Sequence, residues 1–285
     1  MKYGIFTFPT EYSIRVDQLA RAVEERGFES LWLPEHTHIP VRRRSPYPGG
    51  GQLPRDYFHI ADPFVGLAAA AAVTTKIKLG TAICLVIQHD PIVLAKKAAS
   101  LDFLSGGRLI FGIGTGWNAE EMENHGTVFR TRYRLLRERI EAIKSIWCDN
   151  EPEYHGSFVN FNPIRSFPKP VQKPHPPIFF GGHTPLARQR VVDHYDGWIP
   201  TIMPTADFLA GIEHIRRMAY EHGRNPRSIE ICMVWPRPDR RILDRYEAAG
   251  VDRVMLGLPS AGADAVMHQL DECVKLAGLE PPSVG

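Results

Sequence analysis

The sequence predicts an α/β fold of the (β/α)8 TIM-barrel type, a closed ring of parallel strands that alternate with helices. The chain has 285 residues, and a barrel of this type typically has roughly 250. Short β-branched or apolar runs alternate eight times with longer stretches of helical periodicity. No low-complexity linker divides the sequence. We therefore expect a single barrel domain over residues 1–285.

Eight short segments bounded by turn residues have the composition of buried parallel strands. They are Tyr3–Phe8, Ser30–Pro34, Ile77–Cys84, Arg108–Gly114, Pro177–Gly181, Gly197–Thr201, Ile229–Trp235 and Arg253–Leu258. An open doubly wound sheet would usually need fewer strands, so this number favours a barrel.

The intervening helices have recognisable ends. Asp62, Asp90 and Thr184 each precede a proline, which places an N-cap residue before proline at the first helical position. The helix that starts after Asp90 is expected to end at Gly106-Gly107, because glycine adopts the left-handed conformation that closes a helix.

A further helix is predicted between Thr131 and Cys148, where apolar residues recur at helical spacing. Its expected buried face consists of Leu136, Ile140, Ile143 and Trp147. Two connections are longer than a barrel needs: Ile39–Ile60 after the second strand, and Cys148–Pro176 before the fifth. Long loops in compact domains are usually functional lids or partner surfaces.

Composition excludes several classes of protein. Lys plus Arg (34) nearly cancels Asp plus Glu (32), and the net charge of +2 gives no reason to expect nucleic acid or an anionic membrane as a partner. The longest apolar run, Phe64–Val73, is far shorter than the ~20 residues of a membrane span. Met1 and Lys2 lead directly into a strand pattern, which is unlike a signal peptide.

The four cysteines also argue against a structural metal or disulfide framework. They are far apart and form no CxxC pair: Cys84, Cys148, Cys232 and Cys273. We therefore expect reduced thiols and a cytoplasmic protein.

Because a barrel builds its active site from the loops that follow its strands, the residues at the strand ends are candidates for chemistry. His36 follows the second strand and can donate or accept a proton near neutral pH. Glu35 could tune this histidine or point away into the barrel wall. Alternatively His36, His38 and His183 could form a metal site, since alternate residues of an extended strand point to the same side.

Two glycine-containing segments follow other strands. Gly181, Gly182, His183 and Thr184 lead into a helix whose free N–H groups could hold a phosphate, although an ordinary N-cap explains them equally well. Residues 112–116 read GIGTG and do not match GxGxxG, because Trp117 stands where the last glycine should be. These glycines suit a flat ligand lying against bare backbone, or simply a crowded strand end.

Several segments, in order and spacing, resemble the luciferase-like monooxygenase superfamily over essentially the whole chain. These are residues 79–83 (LGTAI), 90–96 (DPIVLAK), 104–108 (LSGGR), 112–118 (GIGTGWN), 177–182 (PIFFGG) and 196–200 (DGWIP). Within that superfamily the chain is most similar to actinobacterial oxidoreductases that use the deazaflavin coenzyme F420.

The resemblance implies roles for individual residues. His36 matches a strand-end histidine that serves near the redox-active ring, and Ala82-Ile83 matches a position where a non-prolyl cis peptide bulges against that ring. Trp117 is expected to form an apolar wall. The cofactor-binding residues implied are Ala82, Ile83, Gly114, Thr115, Gly116, Trp117, Gly181, Gly182, His183 and Thr184.

One departure from the family pattern matters. Some deazaflavin dehydrogenases have a catalytic glutamate directly after the strand-four glycines, whereas this chain has Trp117. Glu120 and Glu121 follow soon afterwards, but nothing in the sequence places them in the site.

The resemblance thus implies hydride transfer between F420 and a small-molecule substrate, in a homodimeric enzyme that needs no metal. Three alternatives remain at this point: an FMN-dependent monooxygenase that uses oxygen, a metal-dependent barrel hydrolase built on the three histidines, and a non-catalytic flavin-binding protein. Because the first of them would share the barrel and the phosphate loop, the sequence separates it poorly from the F420 reading.

Overall fold

A computed structural model describes residues 1–200 and 202–279 and shows a closed parallel barrel surrounded by helices. Its strands are β1 Lys2–Phe6, β2 Ser30–Leu33, β3 Lys78–Thr81, β4 Cys84–Leu85, β5 Leu109–Gly114, β6 Tyr154–His155, β7 Asn160–Phe161, β8 Ile178–Gly181, β9 Gly197–Ile199, β10 Glu230–Val234 and β11 Arg253–Gly257. The barrel order is β3-β2-β1-β11-β10-β9-β8-β5-β4, and β3 also pairs with β5, which closes the ring. Since β4 continues the line of β3, the barrel has eight staves.

The helices cover the outside of this ring. They are α1 Val16–Glu25, α2 Pro63–Val73, α3 Pro91–Leu104, α4 Ala119–Asn124, α5 Arg132–Cys148, α6 Pro185–His194, α7 Thr205–Glu221, α8 Arg240–Ala248 and α9 Ala263–Ala277. Within the described residues, none of these helices is both long and apolar enough to cross a membrane.

All eight predicted strands are present, with ends that differ by at most three residues. One prediction was wrong in kind: Ile77–Cys84 is not continuous. The ladder stops at Thr81 and resumes at Cys84, and the cis peptide bond Ala82–Ile83 lies in the bulge between them. The resemblance to the family implies this cis bond. Thr201, the last residue of the sixth predicted strand, lies outside the described residues.

The predicted helix ends are confirmed. The side chain of Asp62 accepts from the amide of residue 65 at 3.0 Å, and Asp90 accepts from those of residues 92 and 93 at 2.9 Å. Thr184 accepts from the amide of residue 187 at 3.1 Å. Gly106 and Gly107, which follow α3, have positive φ angles of 66° and 83°. Local capping chemistry therefore determines where these helices begin and end.

The two long connections differ in structure. Residues 39–60 carry a short 3-10 turn, Arg55–Phe58, and cross the mouth of the barrel. Residues 148–176 carry the antiparallel β6–β7 hairpin. Between these connections runs α5, whose predicted buried face is confirmed at all four positions: Leu136, Ile140, Ile143 and Trp147.

The core has two layers. The larger lies between the barrel and the helices. The smaller fills the barrel interior with Phe6, Phe8, Trp32, Ile110, Phe179, Ile199, Cys232 and Met255. Glycine is required where staves approach closely, since a Cβ on Gly112 would lie 1.9 Å from the Thr81 carbonyl oxygen. The filled interior leaves the mouth at the carboxyl ends of the strands for binding.

Candidate active site

The bulge at residues 82–83 follows the carboxyl end of β3 and lies against β5 and β8. Its Ile83 side chain lies against two glycines of neighbouring staves. A Cβ on Gly114 would lie 2.8 Å from Ile83 Cδ1, and one on Gly181 would lie 3.2 Å from Ile83 Cγ2. The structure thus brings together Ile83, Gly114 and Gly181, which the sequence assigned to one cofactor site from three separate strands.

Glu35 holds the stave that carries the bulge. Its Oε2 accepts from the Leu85 amide at 2.6 Å, and its Oε1 accepts from Nε2 of His89 at 2.8 Å. Its side chain is 2% exposed. Of the two roles the sequence left open for Glu35, contact with His36 or placement in the wall, the structure shows the second.

These hydrogen bonds affect the titration of Glu35. Burial acts to raise the pKa of Glu35, but the hydrogen bonds and charge of His89 and the Leu85 amide outweigh it, so the pKa lies below its ordinary value of 4.5. Because the pKa is lowered on folding, the carboxylate stabilises the fold above pH 4.5, and this contribution is lost as the pH falls through the folded value.

We expect Glu35→Gln to lower the free energy of unfolding at pH 7 by about 1–3 kcal/mol, since it disturbs a buried charged acceptor that serves two donors. The difference from wild type should shrink as the pH is lowered below 4.5. Urea unfolding at pH 7 and pH 4 measures both effects, with the exposed Glu123→Gln as the control. If Glu35→Gln lowered the free energy of unfolding at pH 7 by no more than Glu123→Gln does, Glu35 would not be a stabilising charged acceptor.

The proposed trio of metal-ligating histidines is not assembled. Among residues 1–200 and 202–279, the one group of three potential ligands with atoms within 4.8 Å is Glu35, Cys84 and His89. His36 Nδ1 contacts Glu121 instead, and Nε2 of His38 contacts the side chain of Asn124 at 2.8 Å. Since both oxygens of Glu35 already accept hydrogen bonds, we interpret the Glu35 group as support for the bulge.

His36 forms a buried pair with a carboxylate that the sequence did not assign. Its Nδ1 lies 2.7 Å from Oε2 of Glu121, and the two side chains are 7% and 1% exposed. A carboxylate can only accept, so Nδ1 of His36 is the donor. This leaves Nε2 as the ring nitrogen that can exchange a proton with a ligand.

Glu121 reaches this position because α4 starts immediately after the strand-five glycines. The Asn118 side chain caps that helix by accepting from the Glu121 amide at 3.3 Å. Among the described residues, Oε1 of Glu121 and the amide nitrogen of the Asn118 side chain are buried without a hydrogen-bond partner. Buried polar atoms of this kind suit a polar ligand.

Aromatic side chains surround the histidine. The ring of His36 lies 5.3 Å from Tyr57 and 5.8 Å from Trp117. Tyr47 packs edge-on against both of these rings, at 5.4 and 6.0 Å. Burial and the Tyr47 hydroxyl raise the pKa of Tyr57, so its hydroxyl stays protonated and neutral. The wall beside His36 is therefore aromatic, and its Tyr57 hydroxyl is neutral.

The loop of residues 39–60 is attached to α4. Glu120 accepts from the Arg44 amide at 3.0 Å and the Ser45 amide at 3.3 Å, and Arg44 Nε donates to it at 3.2 Å. The Arg43 guanidinium lies 5.0 Å from the centre of the Trp117 ring. Arg43 and Arg44 thus anchor the loop to α4 and Trp117.

The remaining predicted residues follow the carboxyl ends of β5 and β8. Thr115 is buried, and Gly116 makes a turn with φ of 73°. The Gly182 carbonyl accepts from the Trp198 indole at 2.7 Å. His183 and Thr184 are exposed at the start of α6, where the Thr184 hydroxyl forms the predicted N-cap.

Sequence reasoning left Glu121 outside the candidate site. A signal for Glu121 is present: Asn118 followed three residues later by glutamate resembles a capping box, which marks a helix start. That pattern predicts α4, and a helix starting at a strand end in the barrel mouth places its first turn near the site.

The chain was compared with protein families and with known proteins. The model of the luciferase-like monooxygenase family matches residues 1–237. An uncharacterised protein of Mycobacterium tuberculosis, Rv0953c, is 40% identical over 270 residues, covering 93% of this chain and 94% of that protein.

Solved structures share the fold. The monooxygenase RslO1 from Streptomyces bottropensis has a TM-score of 0.80 at 22% identity and covers 96% of this chain and 98% of its own. An F420-dependent secondary alcohol dehydrogenase, solved with an F420–acetone adduct, has a TM-score of 0.77 at 19% identity, with coverage of 97% and 98%. By its family match and by its barrel, the chain belongs to the luciferase-like monooxygenase family.

Proposed function

We propose that the protein is an F420-dependent oxidoreductase that moves a hydride between coenzyme F420 and a small organic substrate, with an alcohol and its ketone as the simplest pair. The observation that carries this proposal is the buried His36–Glu121 pair, which lies against Tyr57 and Trp117. Hydride transfer to or from carbon is accompanied by transfer of a proton on oxygen, and a histidine oriented by a carboxylate performs that task.

The residues of the barrel mouth fit a flat redox cofactor. Gly114 and Gly181 present bare backbone on either side of Ile83. Gly182 has φ of 131°, a conformation that favours glycine, directly before the α6 N-terminus. When bound, the deazaflavin supplies two-electron hydride chemistry. Ala82, Ile83 and residues 114–117 would hold its ring, and residues 181–184 its phosphate.

Side chains of the protein then transfer the proton and exclude bulk water. In the oxidative direction, Nε2 of His36 takes the proton that leaves the substrate hydroxyl, and in the reductive direction it returns that proton to the carbonyl oxygen. The Glu121 carboxylate stabilises the resulting imidazolium through Nδ1. The Tyr57 and Trp117 rings keep bulk water from this proton.

The test is a parallel titration of the purified protein with F420 and with FMN, followed by ligand fluorescence and by the melting temperature. A ligand that binds only the folded state raises that temperature in a concentration-dependent way. We expect tight binding of F420 and weak binding of FMN. The reverse result would replace this proposal with the FMN-dependent monooxygenase, and oxygen consumption would be measured next. Binding of neither ligand would refute both.

We also propose that the protein is a homodimer. Support comes from large apolar side chains exposed on neighbouring helices: Val65 on α2 is 71% exposed, and Val93 and Leu104 on α3 are 51% and 67% exposed. Large exposed apolar side chains on neighbouring helices are the kind of surface that an interface covers. Light scattering after size-exclusion chromatography should give twice the 32.1 kDa of one chain, and a monomer mass at micromolar concentration would contradict this.

A further inference from the structure

The two halves of the barrel mouth differ in charge. β9, β10, β11 and β1 are neighbouring staves, and the segments that follow them contain one ionisable side chain, that of the exposed Arg237. These segments are residues 200–203, 235–238, 258–261 and 7–10. On the opposite half, the segments after β2, β4 and β8 contain Glu35, His36, His89 and His183. The half that lacks the proposed proton-transfer and phosphate residues is therefore almost uncharged.

Aromatic rings line this uncharged half. The ring centre of Trp235, directly after β10, lies 5.5 Å from that of Phe6 and 6.0 Å from that of Phe8. Phe8 lies 4.9 Å from Tyr57, whose ring lies 5.3 Å from His36. We call Trp235, Phe6, Phe8 and Tyr57 the aromatic row. The row is a continuous apolar surface that leads from β10 to the proposed proton donor.

The backbone of Trp235 has a conformation that few side chains adopt. Among the described residues other than glycine, Trp235 alone has a positive φ angle, 48°, and such conformations in bulky residues are concentrated at functional sites. Its indole lies directly on the bare backbone of Gly257, since a Cβ there would be 2.4 Å from Trp235 Cε2. Phe6 and Phe8 are 4% and 6% exposed, whereas Trp235 is half-buried. Of these three rings, Trp235 is thus the one accessible to a ligand.

A cavity of about 330 Å³ adjoins Trp235 near the starts of α7 and α8. The apolar side chains of Met203, Met233 and Ile242 form part of its wall. The Thr205 and Tyr246 hydroxyls, which also line it, lie 3.3 Å apart and form a hydrogen bond with each other. The cavity therefore extends the apolar surface of the row, and its volume is within the range of sites for small organic molecules.

We infer that the substrate is an uncharged alcohol or ketone with a bulky aromatic or alicyclic body, and that Trp235 determines this specificity. The oxygen of the substrate would lie at Nε2 of His36, and its body would lie along the row towards the cavity. A charged group packed on these rings would lose its hydration without gaining a counter-ion, which is costly. An apolar ring gains free energy by packing on the indole.

This inference rests on the proposed function, which supplies the redox step. In the oxidative direction the alcohol carbon gives a hydride to the oxidised deazaflavin, and the hydroxyl gives its proton to His36, which leaves the ketone.

The experiment measures the binding of three ketones, acetophenone, acetone and 4-acetylbenzoate, to protein loaded with oxidised F420. They share a methyl ketone and differ in the ring and in charge. Titration calorimetry on wild type should show that acetophenone binds at least about ten-fold more tightly than either of the others. Trp235→Ala should weaken binding of acetophenone about ten-fold and change that of acetone less than about two-fold. Trp235→Phe, which keeps an aromatic ring, should lose less.

The matched control is Tyr220→Ala, which removes an aromatic ring that is 78% exposed on α7. It should leave the binding of all three ketones unchanged. Unchanged affinity for F420 in each variant shows that the variant is folded.

The outcomes separate this inference from the proposed function. Suppose that wild type binds F420. If acetophenone then binds no more tightly than acetone or 4-acetylbenzoate, the inference is refuted and the proposed function stands. If Trp235→Ala matches Tyr220→Ala, or loses acetone and acetophenone equally, Trp235 does not determine specificity. If wild type binds FMN and not F420, both proposals fail together.

Discussion

Replacing His36 with alanine should slow turnover by about 10²- to 10³-fold, the range that a positioned general acid–base contributes. Affinity for F420 should change less than two-fold, because the residues assigned to the ring and the phosphate lie on other staves. Nδ1 of His36 is committed to Glu121 at 2.7 Å, so the loss falls on the proton that Nε2 exchanges. The measurement is steady-state reduction of F420 with a panel of small alcohols, together with the dissociation constant of the cofactor.

Glu121→Gln tests the carboxylate partner of the His36–Glu121 pair. The variant keeps the shape of the side chain and removes the charge that stabilises the imidazolium, so we expect about a ten-fold loss and a displaced pH–rate profile. Glu123 on the same short helix is exposed, so Glu123→Gln serves as the matched control.

Turnover of His36→Ala within two-fold of wild type would remove His36 from the mechanism. A pH profile of Glu121→Gln that matches wild type would reduce Glu121 to a structural residue.

Much of the fold follows from local chemistry that the sequence displays. The capped helix starts at Asp62, Asp90 and Thr184 depend on contacts within three residues, so they could be predicted. The strands could be predicted because buried parallel strands are short apolar runs. The general position of the site followed from the barrel rule alone.

What the sequence could not predict depends on contacts between distant residues. The His36–Glu121 bond joins positions 85 residues apart, and no periodicity encodes which way a glutamate in a short helix points. The role of Glu35 likewise depends on the amide of Leu85, 50 residues away. The third strand was predicted as continuous because residues 77–84 are mostly apolar or β-branched and contain no proline. The break at residues 82–83 is a property of the backbone that only the family resemblance implied.

The amino end of the barrel contains a charge cluster whose removal should have the largest effect on stability. Arg253 on β11 is 1% exposed, and it donates to both oxygens of Glu29, at 2.8 and 2.9 Å, and to Glu230 at 3.0 Å. Its guanidinium lies 5.5 Å from the ring centre of Trp32 and 5.9 Å from that of Phe179. One side chain thus links four staves: β11, β2, β10 and β8.

We expect Arg253→Met to lower the free energy of unfolding by about 3–5 kcal/mol, because it leaves two partly buried carboxylates close together without a cation. The matched control is Arg240→Ala, which breaks an exposed pair with Asp244 at 2.8 Å and should cost no more than about 1 kcal/mol. Urea unfolding at pH 7 measures both. A cost for Arg253→Met within 1 kcal/mol of the control would contradict this assignment.

The dependence of stability on pH should show whether this cluster stabilises the fold through its charges or through packing. Burial acts to raise the pKa of Glu29, but the hydrogen bonds and charge of Arg253 outweigh it, so the pKa lies below its ordinary value of 4.5. A carboxylate with a lowered folded-state pKa stabilises the fold above pH 4.5 and loses that contribution as the pH falls through the folded value. Wild type should therefore lose stability below pH 4.5, while Arg253→Met, in which that pairing is already absent, should lose less. If both lost the same amount, Arg253 would stabilise the barrel through its contacts with Trp32 and Phe179, and not through its charge.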